Sequence, residues 1–437
     1  MEFHGTMRVN RWGHLEIGGC DVVDLAREFG TPLYIFDEDF LRQNCRRFHR
    51  AFVHKYGNAE VIYAGKAFLT VAVCRIIQQE GLGLDVVSGG ELYTAMKAGF
   101  PPDRIYFHGN NKSYAELTMA LEAGVGRIVV DNFFELELLA RLAEERGQKV
   151  PILLRLTPGI EAHTHEYIRT GQIDSKFGFS LPNGQAIAAV KRVKERPGLE
   201  YKGLHCHIGS QIFDVEPYRH AAEVMMAFID QITNTTGLIT EELDLGGGFG
   251  IVYTKGDNPP PVEAYAEAIM EGVHGEAQRR GLKVPKVVVE PGRAIVGTAG
   301  STAYTVGSVK EIPGVRKYVA VDGGMADNIR PALYGARYEA ILANKAAAEA
   351  TEVVSITGKC CESGDMLIWD VALPEVEPGD ILLTPCTGAY GYAMASNYNR
   401  LGRPAAVLVK EGQADLIIKR ETYEDLLRYD VLPARLK

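Results

Sequence analysis

Residues 60–68 read Glu-Val-Ile-Tyr-Ala-Gly-Lys-Ala-Phe, an apolar run followed by a glycine and a lysine. A short β-branched run that ends in a turn and leads into a helical pattern predicts a buried β-strand. The same unit of strand, glycine-rich or polar turn and helix recurs between residues 60 and 293. Strands that alternate with helices pair in parallel, so the sequence predicts an α/β architecture.

Eight strands of this kind are predicted along the repeat. They are Glu60–Ala64, Gly83–Val87, Arg104–Phe107, Arg127–Val130, Pro151–Leu156, Tyr201–His207, Glu242–Leu245 and Lys286–Glu290. Seven helical patterns separate them, and an eighth, Asp39–Tyr56, precedes the first strand. Eight βα units predict a closed, TIM-like parallel barrel, whose chemistry lies on the loops that follow the strands.

The pattern changes after Gly300, where short strands separated by glycine and proline turns replace the alternation. These strands are Thr302–Val309, Lys317–Val321, Val353–Ile356, Ile381–Leu383, Ala406–Val409 and Leu416–Lys419. They predict a second, mainly antiparallel β domain. His14–Ile17 and Leu33–Phe36 are candidates for further strands of it. The predicted domains are 38–295 for the barrel, and 1–37 with 296–437 for the β domain.

Charge and hydropathy exclude two classes of partner. The 437 residues carry 56 acidic and 47 basic side chains, a net charge of −9, and no Lys/Arg stripe offsets it. Nucleic acid is therefore not an expected partner. The first residues precede no apolar run, and no stretch approaches the roughly 20 apolar residues of a membrane span. We expect neither a signal peptide nor membrane insertion.

The seven cysteines are thinly spread and odd in number. They are Cys20, Cys45, Cys74, Cys206, Cys360, Cys361 and Cys386. Such usage is typical of reduced thiols rather than of a disulfide framework, and no CxxC pair indicates zinc. The expected location is the cytoplasm.

Candidate chemical groups stand at the ends of the predicted strands. Lys66 follows the first strand, where its amine could form a Schiff base with an aldehyde cofactor; a solvated surface lysine is the alternative. Asp85 lies at the end of the second strand. His205 and His207 share one face of the sixth strand, because side chains alternate along a strand. They could bind a metal ion, but we prefer one packed histidine and one ring that contacts a ligand.

The seventh and eighth strands end in groups that suit a phosphorylated cofactor. Leu245 is followed by three glycines, which let backbone N–H groups approach a phosphate, although a tight turn is the simpler alternative. Strands seven and eight commonly build the phosphate site of this fold. Glu290 needs a buried partner, and a protonated pyridine nitrogen would be one. A structural Glu290–Arg293 ion pair is the alternative.

A series of motifs carries a family resemblance over nearly the whole chain. In order they are YAGKAF, DVVSGGEL, HCHIGSQI, LGGGFG, EPGR, DGGMADNIRPALY, CCESGD and GAYGYAMASNYN. The series resembles the bacterial diaminopimelate decarboxylases, which belong to the alanine-racemase-like class of enzymes dependent on pyridoxal 5'-phosphate (PLP). Many members of the class have Asn where this chain has Phe68, but some bacterial members share the phenylalanine. The resemblance implies a PLP-binding barrel followed by a β domain.

The resemblance also implies roles for single residues. Lys66 matches the Schiff-base lysine, His207 the imidazole stacked on the cofactor ring, and Glu290 the partner of the ring nitrogen. The remaining cofactor-binding positions are Asp85, Ser210, Gly247, Gly248, Gly292, Arg293 and Tyr390. The positions matching the substrate-binding residues are Arg293, Arg330, Tyr334, Glu362 and Tyr390. Cys361 matches the thiol that protonates the product. No metal is implied.

The implied reaction is the decarboxylation of meso-2,6-diaminopimelate to L-lysine and CO2, the last step of lysine biosynthesis. The implied assembly is a homodimer in which the β domain of each subunit completes the active site of the other. Three alternatives remain at this stage: a decarboxylase or racemase acting on another amino acid, a metal-dependent hydrolase using the two histidines, and a non-catalytic PLP-binding protein. The polar segment His163–Gly178, after the fifth strand, is a candidate mobile lid.

Overall fold

The protein divides into two compact units in this computed structural model, which describes residues 3–160 and 175–437. The barrel unit comprises Arg42–Ile251 and Asn258–Ile295, and the sheet unit comprises Met1–Leu41, Val252–Asp257 and Val296–Lys437. Residues 252–257 thus group with the sheet unit, whereas the sequence interpretation included them in the barrel domain. The candidate lid falls for most of its length on 161–174, outside the described residues.

The N-terminal part of the chain forms four strands and two helices before the barrel begins. They are β1 (Arg8–Val9), β2 (Leu15–Ile17), β3 (Cys20–Asp21), α1 (Val22–Phe29), β4 (Leu33–Asp37) and α2 (Glu38–His49). Strands β1, β2 and β3 form a small separate antiparallel sheet. Of the two early segments considered as extra strands, β4 joins the large sheet of the sheet unit and β2 does not.

The barrel unit alternates strands and helices as predicted. Its elements are β5 (Ala59–Ala64), α3 (Val71–Gln79), β6 (Gly83–Val86), α4 (Gly89–Lys97), β7 (Ile105–Phe107), α5 (Tyr114–Ala123), β8 (Arg127–Val130), α6 (Phe133–Arg146), β9 (Val150–Thr157), β10 (Phe179–Ser180), α7 (Gln185–Lys194), β11 (Leu199–Cys206), α8 (Glu216–Thr236), β12 (Glu242–Asp244), α9 (Val262–Arg280) and β13 (Lys286–Val289). Eight parallel strands pair in the order β5-β6-β7-β8-β9-β11-β12-β13, and the last strand, β13, pairs with the first, β5. This last pairing closes the barrel and confirms the predicted fold; β10 pairs beside the end of β9.

The barrel interior is layered, because every second side chain of a strand faces the same way. In the last strand and the residue after it, Lys286, Val288 and Glu290 follow this spacing of two. An ionic cluster surrounds Lys286, where its Nζ lies 2.7 Å from Glu60 and 3.1 Å from Glu242. The middle layer is apolar and contains Ile62, Tyr106, Val129, Leu153 and Val288. Glu290 belongs to a third, polar layer at the carboxyl ends of the strands.

Side-chain caps fix the start of four barrel helices. Thr70, Ser88, Ser113 and Asn132 each accept a hydrogen bond from the backbone N–H three residues later, at the first turns of α3, α4, α5 and α6. Such caps stabilise a helix by about 1 kcal/mol each. They hold the short βα connections that carry the polar layer.

The sheet unit contains the remaining elements. They are α10 (Arg293–Val296), which straddles the division, β14 (Gly300–Ile312), β15 (Arg316–Val321), α11 (Arg330–Tyr334), β16 (Ile341–Leu342), β17 (Glu352–Thr357), β18 (Met366–Leu373), β19 (Ile381–Thr384), β20 (Ala405–Lys410), β21 (Gln413–Ile418) and α12 (Tyr423–Leu427). The main strand order is β18-β17-β15-β14-β4-β20-β21, and β19 pairs with β14 and β16. The β15–β17 and β20–β4 pairs are parallel, and the others are antiparallel, as predicted.

Four strands of the sheet unit were not predicted from the sequence: the two-residue strands β1, β3 and β16, and the longer strand β18. Strand β18 shows why. Its residues Trp369 and Asp370 are exposed, and Asp370 has a positive φ of 52°. The pairing with β17 also shifts register at two points. The irregularity removes the simple alternation by which a strand is recognised in a sequence. Across the described ranges, no helix is long and apolar enough to cross a bilayer.

Candidate active site

The polar layer at the carboxyl ends of the barrel strands brings together side chains from distant parts of the chain. Asp85 comes from β6, His205 from β11 and Asp244 from β12, while His108 and Glu290 directly follow β7 and β13. All five residues are buried, with at most 6% of their surface exposed. Because buried ionisable groups require partners, this layer is the candidate active site of the barrel unit.

Glu290 lies between two histidines. Its Oε1 is 2.8 Å from His108 Nε2, and its Oε2 is 3.4 Å from His205 Nε2. The two imidazole rings are 4.8 Å apart and nearly perpendicular. Burial alone would raise the pKa of Glu290, but the two histidines outweigh it and hold the pKa well below its usual range. Glu290 is therefore an anion.

The histidine on β11 carries no charge at neutral pH. Burial lowers the pKa of His205 from its usual 6.5 to about 4, despite the opposing effect of Glu290. A neutral imidazole still donates an N–H to a carboxylate, so both shifts are compatible with an ionised Glu290.

The two aspartates of the layer differ from Glu290. Burial raises the pKa of Asp85 to about 6. Burial, followed by the charge of Glu290, raises the pKa of Asp244 well above its usual range, so this carboxyl group stays protonated. Asp244 Oδ1 accepts the backbone N–H of Gly246 over 2.9 Å. The carboxyl group thereby ties β12 to the glycine turn that follows it.

The glycine turn lies against the backbone of neighbouring strand ends. A Cβ on Gly247 would overlap the carbonyl oxygen of Glu290, and one on Gly248 would overlap that of Gly209. Gly248 also has a φ of +99°, which side chains rarely allow. The N–H of Gly247 donates to His207 Nδ1 over 3.2 Å. His207 is therefore fixed beside the turn, and burial, with the charge of Lys66, lowers its pKa well below the usual value.

Four further predicted residues lie in the same unit. Arg293 is buried, and its Nη2 donates to Ser210 Oγ over 2.8 Å. Gly292, just before it, packs so closely on Ala64 that a Cβ would lie 2.9 Å from the alanine Cβ. Lys66 is exposed and directly follows Gly65. A Cβ on Gly65 would lie only 2.7 Å from the carbonyl oxygen of Asp85.

The other predicted residues lie in the sheet unit. Arg330 is buried, and its guanidinium carbon lies 6.0 Å from the ring centre of Tyr334. Cys361 and Glu362 are exposed. Asn399 accepts the backbone N–H of Cys361 over 2.7 Å. Glu362 lines a cavity together with Met325, Ile329, Ser396 and Tyr398. Tyr390 has a φ of +59°.

A metal ion is a poor fit to the polar layer. One ligand atom from each of His108, His205, Asp244 and Glu290 lies within 4.8 Å of the others. However, His108 Nε2 and Glu290 Oε1 are only 2.8 Å apart. Two nitrogen or oxygen ligands of a tetrahedral zinc, each about 2.0–2.1 Å from the ion, would be roughly 3.3 Å apart. These atoms contact each other rather than enclose a site.

Comparison with known proteins identifies the family. Residues 41–297 match the model of the pyridoxal-dependent decarboxylase, pyridoxal binding domain. Over 99% of this chain and 98% of its relative, the sequence is 56% identical to diaminopimelate decarboxylase of Bacillus subtilis. The chain belongs to the diaminopimelate decarboxylase family. The enzyme of Synechocystis, 52% identical over 99% of this chain and 93% of the relative, agrees.

Solved structures of family members have the same fold. The diaminopimelate decarboxylase of M. jannaschii, in complex with L-lysine, matches 99% of both chains with a TM-score of 0.92 and 37% identity. The Helicobacter pylori enzyme, also in complex with L-lysine, matches 93% of this chain and 98% of its own with a TM-score of 0.85 and 32% identity. The barrel followed by a β domain is therefore the fold of this PLP-dependent family.

The polar layer fits the cofactor of this family. Asp85 Oδ1 is buried and accepts no hydrogen bond from the described residues, and the anion of Glu290 lies in the same layer. A buried anionic oxygen without a donor is costly, and the protonated ring nitrogen of PLP is such a donor. The glycine turn packs too closely on neighbouring backbone to carry side chains, so none shields its backbone N–H groups from a phosphate.

Sequence reasoning missed two members of this layer, His108 and Asp244. Both stand at the end of a barrel strand, which was the criterion used for Lys66 and Glu290. The predicted third strand ended at Phe107, one residue before His108. Asp244 was treated only as part of the glycine motif that follows it. Inspecting the residue at every strand end for a buried titratable group would have found both.

The glycine turn generates a first prediction. Gly247→Ala should abolish retention of PLP, because the added Cβ overlaps the carbonyl oxygen of Glu290. Absorbance of the bound cofactor after gel filtration measures retention. The matched control is Gly275→Ala, in α9, where a Cβ meets no atom within 4 Å. The control should keep PLP and gain about 0.5–1 kcal/mol of stability. Full PLP binding by Gly247→Ala would contradict the assignment of the turn.

A second prediction concerns pH. His205 has a pKa of about 4 in the folded protein against 6.5 unfolded, so the unfolded chain binds the extra proton as the pH falls below 6.5. Stability from this group is present above pH 6.5 and declines toward pH 4, by about 2 kcal/mol at pH 5. His205→Gln should therefore lose less stability than the parent between pH 7 and pH 5, as measured by urea unfolding. Replacement of the exposed His220 by Gln should change nothing, and equal acid sensitivity of all three proteins would refute the prediction.

Proposed function

We propose that this chain catalyses the PLP-dependent decarboxylation of meso-2,6-diaminopimelate to L-lysine and CO2, the last step of lysine biosynthesis. The observation that carries the proposal is the buried anion of Glu290, held between two histidines at the barrel end, in the same layer as Asp85, whose Oδ1 accepts no hydrogen bond from the described residues. The family relationship over the whole chain supports the same reaction.

The barrel residues hold the cofactor. Lys66 would supply the amine that binds its aldehyde, His207 would contact the ring, and Glu290 would keep a proton on the ring nitrogen, with Asp85 in the same layer. The remaining residues that would hold the cofactor are Ser210, Gly247, Gly248, Gly292 and Arg293 of the barrel unit and Tyr390 of the sheet unit. When bound, PLP supplies an electron sink for the electron pair left when the carboxylate departs. An ionised Glu290 is essential, because a neutral carboxyl group would not hold the ring proton.

Other residues orient the substrate and move a proton. Arg293, Arg330 and Tyr334 bind the carboxylate that is retained, since guanidinium groups match carboxylates in geometry and charge. Glu362 faces the distal ammonium group, and Tyr390 contacts the substrate as well as the phosphate. Cys361 delivers a proton to the carbon that lost CO2. Lys66 would hold the cofactor again once the product amine has left.

The proposed assembly is a cytoplasmic homodimer in which the β domain, 1–37 and 296–437, completes the active site formed by the partner's barrel domain, 38–295. Six apolar side chains between residues 423 and 436 are more than half exposed, and exposed apolar groups of this kind are common at interaction surfaces. They are Tyr423, Leu427, Tyr429, Val431, Leu432 and Leu436. The described residues contain no disulfide between any of the seven cysteines, which supports a reducing compartment.

Lys66 should carry the cofactor. Borohydride reduction of the holoenzyme, followed by peptide mass mapping, should place the added cofactor mass on Lys66. The reason is its position after β5, at the barrel end that holds Glu290 and the glycine turn. The Lys66→Arg variant is the control and should show no adduct. A labelled peptide containing any other lysine would overturn the assignment.

Meso-diaminopimelate should be the preferred substrate. L-lysine and L-ornithine lack the distal carboxylate and would leave buried donors unpaired, so their kcat/KM should be at least about 1000-fold lower. Release of CO2 from each amino acid measures the ratio. Comparable kcat/KM on L-ornithine would instead favour a diamine-forming enzyme like the lysine/ornithine decarboxylase of Vibrio vulnificus, which is 26% identical with a TM-score of 0.76.

The shared active site predicts complementation between two inactive variants. Lys66→Ala and Cys361→Ala homodimers should each be nearly inactive. After free subunit exchange about half of the dimers are mixed, and each mixed dimer holds one intact site, so roughly a quarter of all sites should recover. Exchange is verified separately with two distinguishable tags. Verified exchange without recovered activity would show that both residues of a site come from one chain.

A further inference from the structure

The donors of Arg330 are divided between two edges of its guanidinium group. One edge is occupied: Nη1 donates to the hydroxyl oxygens of Tyr253 and Tyr338, both over 2.8 Å. Nη1 carries two N–H groups, so these two phenols use both of them. Arg330 is 7% exposed, and the tyrosines are 8% and 5% exposed. The pairing is therefore shielded from water.

The other edge of the guanidinium group is formed by Nε and Nη2. Nε of Arg330 is buried and donates no hydrogen bond to any described residue. A buried charged donor without a partner costs more than a typical hydrogen bond gains. The Nε–Nη2 edge is the planar fork that binds both oxygens of one carboxylate. The geometry therefore leaves a carboxylate-binding edge on a side chain whose opposite edge is fixed.

The two tyrosines also restrict the orientation of the cation. The guanidinium carbon lies 5.2 Å from the ring centre of Tyr253 and 6.0 Å from that of Tyr338, within the range of cation–π attraction. The two rings meet edge to face, 5.5 Å apart at 89°. Two hydrogen bonds at one nitrogen, flanked by two rings, leave the group little freedom to turn.

The segments that carry the phenols are themselves held in place. Asp257 accepts the backbone N–H groups of Tyr253 and Thr254, each over 2.9 Å, which closes a tight turn. The backbone N–H of Lys255 donates to Glu339, the neighbour of Tyr338. The turn and the segment after α11 are thus tied to each other as well as to Arg330.

We propose that Tyr253 and Tyr338 are positioning residues that determine substrate specificity, by fixing Arg330 so that its Nε–Nη2 edge receives the carboxylate retained in the product. This inference rests on the proposed function. Neither tyrosine needs to touch the substrate: each acts by occupying Nη1. Without the phenols, Arg330 can turn about its side-chain bonds, and binding of the carboxylate loses its preorganised partner.

Two ligands distinguish positioning from a general structural role. L-lysine has the retained carboxylate, and 1,5-diaminopentane has the same two amines without it. Calorimetry on the holoenzyme of Tyr253→Phe and Tyr338→Phe should show L-lysine binding weakened about tenfold, the effect of one hydrogen bond to a charged group. Binding of 1,5-diaminopentane should stay within about twofold. KM for meso-diaminopimelate should rise more than kcat falls, because the carboxylate is retained throughout the reaction.

The matched control is Tyr201→Phe, which loses a buried phenol bond of 2.9 Å to Thr240 in the barrel unit. It should change neither affinity. Equal weakening of both ligands in the Tyr253 and Tyr338 variants would show a merely structural role and overturn the proposal. Unchanged L-lysine binding in both variants and in the double variant would also overturn it.

Arg330→Met separates failure of this inference from failure of the proposed function. If the unaltered enzyme binds L-lysine no better than 1,5-diaminopentane, and Arg330→Met changes nothing, the proposed function is wrong. If Arg330→Met selectively weakens L-lysine binding while the tyrosine variants do not, the function stands and only the positioning role is excluded.

Discussion

The pairing of the last barrel strand, β13, with the first, β5, is the constraint on which the barrel unit depends. Closure forces the carboxyl ends of eight strands into one ring, so residues as far apart as Asp85 and Glu290 become neighbours. The alternation of side chains then sorts the interior into an ionic layer, an apolar layer and a polar layer. A residue two positions further along a strand changes layer, as Lys286, Val288 and Glu290 do in turn. The strand order therefore determines which polar side chains meet, and local features only adjust their positions.

Burial in the polar layer then decides which groups are charged. Removal from water raises the pKa of Asp244 and lowers that of His205, so both are neutral. Glu290 is exceptional because two imidazoles contact its oxygens and stabilise the anion. A site that keeps Glu290 ionised while Asp244 and His205 are neutral is suited to a cationic partner. The ring nitrogen of PLP is a partner of that kind, which links the electrostatics of the layer to the cofactor of the family.

The sequence predicted the barrel because regular βα repeats carry a strong local signal. All eight barrel strands, and the positions of Lys66, Asp85 and Glu290 at their ends, could be read from β-branched runs followed by glycines or polar residues. The contacts of His108 with Glu290, and of Tyr253 with Arg330, could not be predicted, since they depend on distances between segments remote in sequence. Strand β18 escaped detection for a different reason: its bulge and exposed Trp369 erase the periodicity. Local patterns therefore predicted elements, while the partners of each side chain required the fold.

Polar side chains are prepared for binding in different ways in the two units. In the barrel unit, carboxyl and imidazole groups can change protonation, so burial and neighbouring charges select the state that the cofactor needs. In the sheet unit, Arg330 stays charged under all ordinary conditions, so its protonation cannot be adjusted. The orientation of its guanidinium group can be adjusted instead. Two phenols accept hydrogen bonds at one edge of the group, and in our proposal the other edge binds a ligand. In the proposed function, recognition of the retained carboxylate requires a guanidinium group of constant charge and orientation, because this carboxylate must be bound both before and after CO2 departs.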